Sequence, residues 1–347
     1  MDRRSEGAPT LKDVAAAAGL SIAAVSKVFN NREGVSAANR ALVTKIAEEM
    51  GYAGISGRAA ANSHLQRAVI ATLDKYVTND AFYGQIIESV LEFSRSENIE
   101  INLSIVSSQD LEQADFRHLL KTPSDGIFLV GLDGPAVVNA VRSIGCPAVL
   151  VNGMDSRMEL SSVSPDNYFG GRDVTRRLLE LGHREIVHIT HPHRESLMRR
   201  LMGFREAMEG AGIPFSFEQN IFDVGDPDML SLSCHDKVAA FLRKRSPLPT
   251  AFFCANDMVA LGVLRAIENV GLKVPQDISV IGFDGLAVGA HASPPISTMA
   301  IDGREMAFHA VQMLLDIARS ERQCVRRLSL GVRYIEREST RTLAPAE

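Results

Sequence analysis

The sequence predicts a small all-α helix-turn-helix head followed by a two-lobed α/β body with parallel sheets. The chain has 347 residues, 46% hydrophobic and 23% charged, and single cores usually stop growing near ~250–300 residues, so more than one domain is expected. The opening segment carries helix caps and glycine turns, whereas from residue 68 onward short apolar runs alternate with amphipathic helical patterns. That alternation is the signature of βαβ units. Charge divides along the same line: residues 1–67 hold nine Lys/Arg against six Asp/Glu, leaving −8 on the rest of a chain with net charge −5. A basic head on an acidic body suits a polyanion partner.

Some function classes are excluded early. No stretch approaches the ~18 uninterrupted apolar residues of a membrane span, and MDRRSEGAPT lacks the apolar core of a secretory signal, so a cytoplasmic protein with no membrane partner is expected. Cys146, Cys234, Cys254 and Cys324 lie far apart with no C-x-x-C pairing. Reduced thiols are expected, with neither a disulfide framework nor a zinc motif.

In the head, residues 1–54, Thr10 is an N-cap with Asp13 three residues on, and TLKDVAAAAG reads as a short helix closed by Gly19. Ser21 caps a second helix, SIAAVSKVF, with Val25, Val28 and Phe29 at helical spacing, and the small residues Ala15 to Ala18 let the two helices cross closely. Ser36 caps a third, in which Leu42, Val43, Ile46, Ala47 and Met50 share one face, ending at Gly51. In a helix-turn-helix the second helix offers its N-terminal side chains to the major groove while amides and nearby Ser, Asn and Lys side chains hold phosphates. The exposed positions here are Ile22, Ala23, Ser26 and Lys27, with Asn30 just beyond. An ordinary three-helix bundle with a solvated face has the same spacing. Residues 55–67 are rich in small and polar side chains, and Gly54 and Gly57 read as a flexible linker.

In the body, residues 68–347, the strand-like runs AVIATL, INLSIV, GIFLVG, PAVLVN, EIVHIT, AFFCAN and ISVIGFDG alternate with helical stretches near Leu111–Leu120, Leu201–Gly210 and Asp257–Val270. Such a body hosts enzymes, binding modules and sensors alike. No G-x-G-x-x-G follows the first strand, and P-loop, G-x-S-x-G and H-E-x-x-H motifs are absent. Neither catalysis nor a cofactor is expected. His188, His191 and His193 have metal-like spacing but straddle a strand end, where alternation points them apart, so no metal is expected.

From Thr10 to Gly54 the segment TLKDVAAAAGLSIAAVSKVFNNREGVSAANRALVTKIAEEMGYAG resembles the DNA-binding domain of the lac/gal repressor family. The resemblance implies base contacts from Ile22, Ala23 and Lys27. This chain has Ala24 where the family usually has Thr, and Lys27 where it has Arg; a point charge replaces a planar fork, weakening bidentate guanine readout. The linker corresponds to a hinge helix that folds on DNA and wedges a Leu into the minor groove. That position falls on Ala61, near Arg58, and a methyl group is a poor wedge.

The body is similar to the effector-binding cores of the same family, whose lobes resemble periplasmic sugar-binding proteins, through SVSPDNYFGGRDVTRRLLELGHREIVHIT, RRLMGFREAMEGAG, ANDMVALGVLRAIENVGLKVPQDISVIGFDG and VRYIEREST. The resemblance implies an effector between the lobes, gripped by Arg200, Asn256 and Asp284. Their donors and acceptors suit a polyol. Further candidates are Phe82, Tyr83, Gln85, Asn152, Asp166 and Arg194; Phe82 and Tyr83 suit either stacking on a sugar face or core packing. Two arginines leave an acidic or phosphorylated sugar open. Where several relatives carry an aromatic residue, this chain has Pro227.

Together these readings imply a homodimeric regulator of transcription, a repressor, whose hold on a double-stranded DNA operator is controlled by a sugar or sugar derivative. A sugar-binding protein with a degenerate DNA-binding head is the alternative, and a sugar-converting enzyme a distant third.

Overall fold

The computed structural model describes residues 11–29, 35–50, 65–78, 81–113, 116, 124–191, 194–225, 234–319 and 324–343. The chain forms two compact units, Met1–Gln66 and Arg67–Glu347.

In the first unit, α1 (Leu11–Ala18), α2 (Ile22–Phe29) and α3 (Ala37–Glu49) surround one small core of Val14, Ala15, Val25, Val43 and Ala47. Sequence chemistry sets each boundary. Gly19 turns the chain after α1 at φ +64°, a conformation open to glycine without a Cβ penalty. The Ser21 and Ser36 hydroxyls accept from the amides of Ala24 at 3.1 Å and Asn39 at 3.2 Å, capping α2 and α3. Leu42 departs from expectation, being 43% exposed. Val43 and Ala47, four residues apart, mark the centre of the buried stripe, with Ile46 and Met50 on one flank; Leu42 lies beyond Ile46 on that flank, rotated toward water.

The second unit contains two six-stranded sheets. Lobe 1 has the order β11 (Arg327–Leu330), β5 (Ser161–Pro165), β4 (Ala148–Val151), β3 (Gly126–Val130), β1 (Arg67–Leu73), β2 (Glu100–Val106), every pair parallel. Lobe 2 repeats it with β12 (Arg333–Ile335), β10 (Ser297–Ala300), β9 (Ser279–Asp284), β8 (Ala251–Cys254), β6 (Ile186–Thr190) and β7 (Ile221–Asp223). Here the sheet is parallel except for β12, antiparallel to β10. The chain crosses between lobes at 165–167, 300–303 and 330–333.

Burial explains why the strands read as unbroken apolar runs. In lobe 2, Val187, Ile189, Phe252, Cys254 and Val280 face one helical layer while Ile186, Phe253, Ile281 and Phe283 face another. Both sides of β6, β8 and β9 are dry, so alternation vanishes there. The helix expected near Leu201 starts earlier, at Glu195, and runs to Gly210. The helix expected near Leu111–Leu120 is Ser108–Gln113 where described. The carboxyl ends of β1, β3 and β4 and of β6, β8 and β9 carry the residues that build the site, as is general for ligand crevices in open parallel sheets.

Candidate functional site

Lobe 2 supplies a buried guanidinium. Arg200, on the helix Glu195–Gly210 and 4% exposed, donates from Nε to Asn167 Oδ1 at 2.8 Å, from Nη1 to the Ala255 carbonyl, and from Nη2 to Asp284 Oδ1 at 3.4 Å. Its Cζ lies 3.6 Å from the Phe283 ring centroid. Burial pushes Arg200 below the usual arginine value while Asp284 opposes the shift. The helix comes this close because Gly171 and Gly203 face backbone; a Cβ on either would collide with the Arg200 or Tyr168 carbonyl.

Arg194, at the N-cap of the same helix, reaches across to lobe 1. Its Nη1 donates to the hydroxyls of Tyr83 at 2.8 Å and Tyr76 at 3.1 Å, and its Nη2 donates to the Asn152 carbonyl at 3.4 Å and lies 4.0 Å from Asp133 Oδ2. Tyr76 and Tyr83 stack with centroids 3.8 Å apart. Gly131, at φ +68° after β3, makes room for them, since a Cβ there would lie 2.7 Å from each ring. Asn152 donates from Nδ2 to the Tyr83 hydroxyl at 2.8 Å; its backbone sits at φ +51° and its buried Oδ1 has no hydrogen-bond partner among the described residues. Burial raises Tyr83 well above the ordinary tyrosine value against the pull of Arg194, and raises Asp133 likewise. Burial also works against the charge of Arg194, but Tyr83, Tyr76 and Asp133 outweigh it.

The structure therefore brings Tyr83, Asn152 and Arg194 into one hydrogen-bonded group and Arg200 and Asp284 into another. Asn256 follows Ala255, the residue whose carbonyl Arg200 meets, and its side chain caps the helix Asp257–Asn269 by accepting from the Val259 amide at 2.8 Å. The other candidates stand apart. Asp166 caps the helix Asn167–Glu180, accepting from Phe169 at 3.0 Å. Gln85 points outward, and Phe82 packs edge-on to Tyr83 at 5.2 Å, its ring 9% exposed. Sequence reasoning missed Tyr76, Asp133 and Asn167. Tyr76 sits in the short helix Asp74–Thr78 directly after β1, Asp133 lies in the segment GLDG directly after β3, and Asn167 adjoins Asp166; position after a strand end was the one signal available.

His188 does not face His191. It stacks on Phe253 at 4.2 Å and its Nδ1 pairs with the Phe253 carbonyl at 2.9 Å, while His191 Nδ1 lies 3.3 Å from Asp223 Oδ1. His193 lies outside the described residues.

In the head, Ile22 is 48% exposed and Lys27 is exposed, on a helix opened by the Ser21 cap. Ala23 and Ser26 belong to the same helix, their side chains outside the description; Thr10, Asn30, Arg58 and Ala61 lie outside the described residues altogether.

Residues 10–54 match the family model "Bacterial regulatory proteins, lacI family", and residues 175–340 match the "Periplasmic binding protein-like domain". Over 98% of its length the chain is 30% identical to the HTH-type transcriptional repressor CytR of Escherichia coli K12, covering 99% of that protein. The chain belongs to the lacI family. Among solved structures, this lacI-family chain is similar to a complex of the transcriptional regulator CelR with cellobiose (TM-score 0.72, 28% identity, 95% of this chain and 99% of that one). It is also similar to the lac repressor dimer bound to operator and the anti-inducer ONPF (TM-score 0.69, 26% identity, 96% and 100%). It is a DNA-binding regulator of transcription. Among the described residues no helix is long and apolar enough to cross a membrane.

Proposed function

We propose that the chain is a homodimeric, cytoplasmic repressor without enzymatic activity, whose grip on a two-fold DNA operator is set by a neutral, hydroxyl-rich effector between the lobes. The observation that carries this reading is the polar seam across the cleft, with Arg194 meeting Tyr76, Tyr83 and Asn152 from the other lobe, and Arg200 meeting Asp284 beside it. Each guanidinium already has a carboxylate within 4.0 Å. An anionic ligand would add charge to a balanced site, whereas hydroxyl groups exchange hydrogen bonds with tyrosine, asparagine and carboxylate at no electrostatic cost. The relative solved with cellobiose binds a ligand of that kind.

Arg200, Asn256 and Asp284 are assigned as the grip, with Tyr83, Asn152 and Arg194 as the opposing wall. Phe82, Gln85 and Asp166 support it as packing, surface and helix cap. In the head, residues 1–54, Ile22, Ala23 and Lys27 read bases, and Thr10, Ser21, Ser26 and Asn30 hold phosphates; residues 55–67, with Arg58 and Ala61, form the hinge. A change of lobe closure shifts the populations of heads competent for DNA. A thermal-shift screen of neutral sugars, sugar acids and sugar phosphates tests the effector class. A neutral sugar at ~100 times its dissociation constant stabilises by about 2.7 kcal/mol, and stabilisation by the acids or phosphates alone would overturn the reading.

A further inference from the structure

The cleft carboxylate Asp284 sits in an unusual backbone conformation. Its φ is +100°, followed by Gly285 at +81°. A non-glycine residue there is strained and persists only where its surroundings over-determine it. The turn is pinned at two points. Gly285 lies against Ala300, 2.7 Å from where a Cβ would stand, and the next amide, Leu286, donates to Asp257 Oδ2 at 2.6 Å.

Asp257 is a fully buried carboxylate at the start of the helix Asp257–Asn269. Its other oxygen accepts from the Thr298 hydroxyl at 2.6 Å. Thr298 on β10 pairs with Gly282 on β9, and Gly282 leaves the room that Asp257 Oδ1 fills, since a Cβ there would collide with it. One carboxylate thus ties together the helix start, the neighbouring strand and the turn behind Asp284. None of the residues assigned to the cleft provides this tie.

On the reading of Asp284 as an effector ligand, we infer that Asp257 is its positioning residue: through the Leu286 amide it holds the turn that presents Asp284 to Arg200 and the cleft. Burial, then the like charge of Asp284, push Asp257 up to about 7, while Thr298, Leu286 and Arg337 favour the ionised form. Cys254 on β8 is the other titratable group facing it, and Arg200 reaches Asp284 from the opposite side. The tie therefore changes charge near neutral pH, with the ionised form accepting the stronger bond from Leu286.

The full-length protein labelled with 15N-leucine reports this directly. In wild type the Leu286 amide exchanges slowly, and its resonance titrates with a midpoint near 7. Asp257→Asn keeps an acceptor oxygen, so slow exchange survives while the titration is lost. Asp284→Asn removes the like charge and moves the midpoint downward. In a crystal structure of Asp257→Ala, Asp284 leaves its positive φ and its contact with Arg200. Persistence of the titration in Asp257→Asn, an unmoved midpoint in Asp284→Asn, or an Asp284 that keeps both φ and contact in Asp257→Ala would each overturn the inference. If Asp257→Ala does not fold, the two asparagine variants decide. These readouts need no ligand, so a cleft that binds no sugar would sink the effector reading while leaving them unchanged.

Discussion

Lobe 1 and lobe 2 are built on one strand order, yet they bring different chemistry to the cleft between them. Lobe 1 contributes tyrosine hydroxyls, an asparagine and one carboxylate, arranged around the stacked pair Tyr76 and Tyr83. Lobe 2 contributes both arginines and Asp284. It also buries the imidazoles of His183 and His188 and the carboxylate of Asp257. Equal topology therefore does not mean equal electrostatic load. The lobe that holds charge must also hold the partners that make burial tolerable, because unpaired buried charges cost several kcal/mol each.

The sharpest way to break the comparison is to unload lobe 2. Arg200→Ala removes the guanidinium that donates to Asp284, Asn167 and the Ala255 carbonyl. A charged hydrogen bond lost from the ligand site costs about 1.5–3 kcal/mol, so sugar affinity should fall by roughly one to two orders of magnitude. Operator binding without effector should survive. Calorimetric titration of the variant with the sugar found in the screen measures the first and an operator gel shift the second; unchanged affinity would remove Arg200 from the site.

Next in size are the pH responses, and the two kinds of buried group pull in opposite directions. His188 is lowered to about 3 and His183 to about 4, chiefly by burial. Their folded values lie below the unfolded value near 6.5, so the stability they preserve is present above pH 6.5 and is lost as pH falls through about 4 and 3. Asp257 behaves oppositely. Its folded value of about 7 lies above the unfolded value near 3.8, so relative stability is full below pH 3.8 and is lost as pH rises through 7. Asp257→Asn should therefore gain on wild type by up to a few kcal/mol between pH 5 and pH 8. His188→Phe should flatten the acid limb, at a cost of about 1 kcal/mol for the lost hydrogen bond to the Phe253 carbonyl. Denaturant melts across pH check both. A lobe 2 variant with the wild-type pH profile would contradict the idea that its charge load is what titrates.

How much of this was open to sequence reading follows the same physics. Runs such as AFFCAN and ISVIGFDG announce strands because burial on both faces leaves only apolar residues. The strands β5 and β10, SSVSP and STMA, do not, since they carry Ser and Thr side chains, of which Ser161 and Ser297 accept from backbone amides and Thr298 donates to Asp257. The strands β7 and β12, of three residues each, are too short for any period to show. In the cleft, Arg200, Asn256 and Asp284 were named through family resemblance. Nothing local marks Asn167, Asp133 or Tyr76 as their companions, because contacts such as Arg194 to Tyr76 join residues 118 positions apart. Gln85 shows the complementary limit: it neighbours Phe82 and Tyr83 in sequence, but the helix leaves it exposed.

The smallest expected effect tests whether the lobes are coupled at all through neutral groups. Tyr83→Phe keeps the ring, its stack on Tyr76 and its fit over Gly131, and removes only the hydroxyl that accepts from Arg194 and Asn152. Arg194 retains Tyr76 and Asp133, so its charge is not stranded. The loss should be near that of one or two hydrogen bonds, about 1–2 kcal/mol of core stability. Stability alone does not locate that loss between the lobes, since Asn152 lies in lobe 1 with Tyr83. A double-mutant cycle with Arg194→Met does. If the seam is a true cross-lobe contact, the two substitutions should be non-additive by about 1 kcal/mol or more, the usual coupling of residues in one network. A cycle of Tyr83→Phe with Asn152→Ala isolates the portion internal to lobe 1. Additivity in the first cycle with coupling in the second would mean that lobe 1 holds its tyrosines for its own packing, and that arginine alone bridges the cleft.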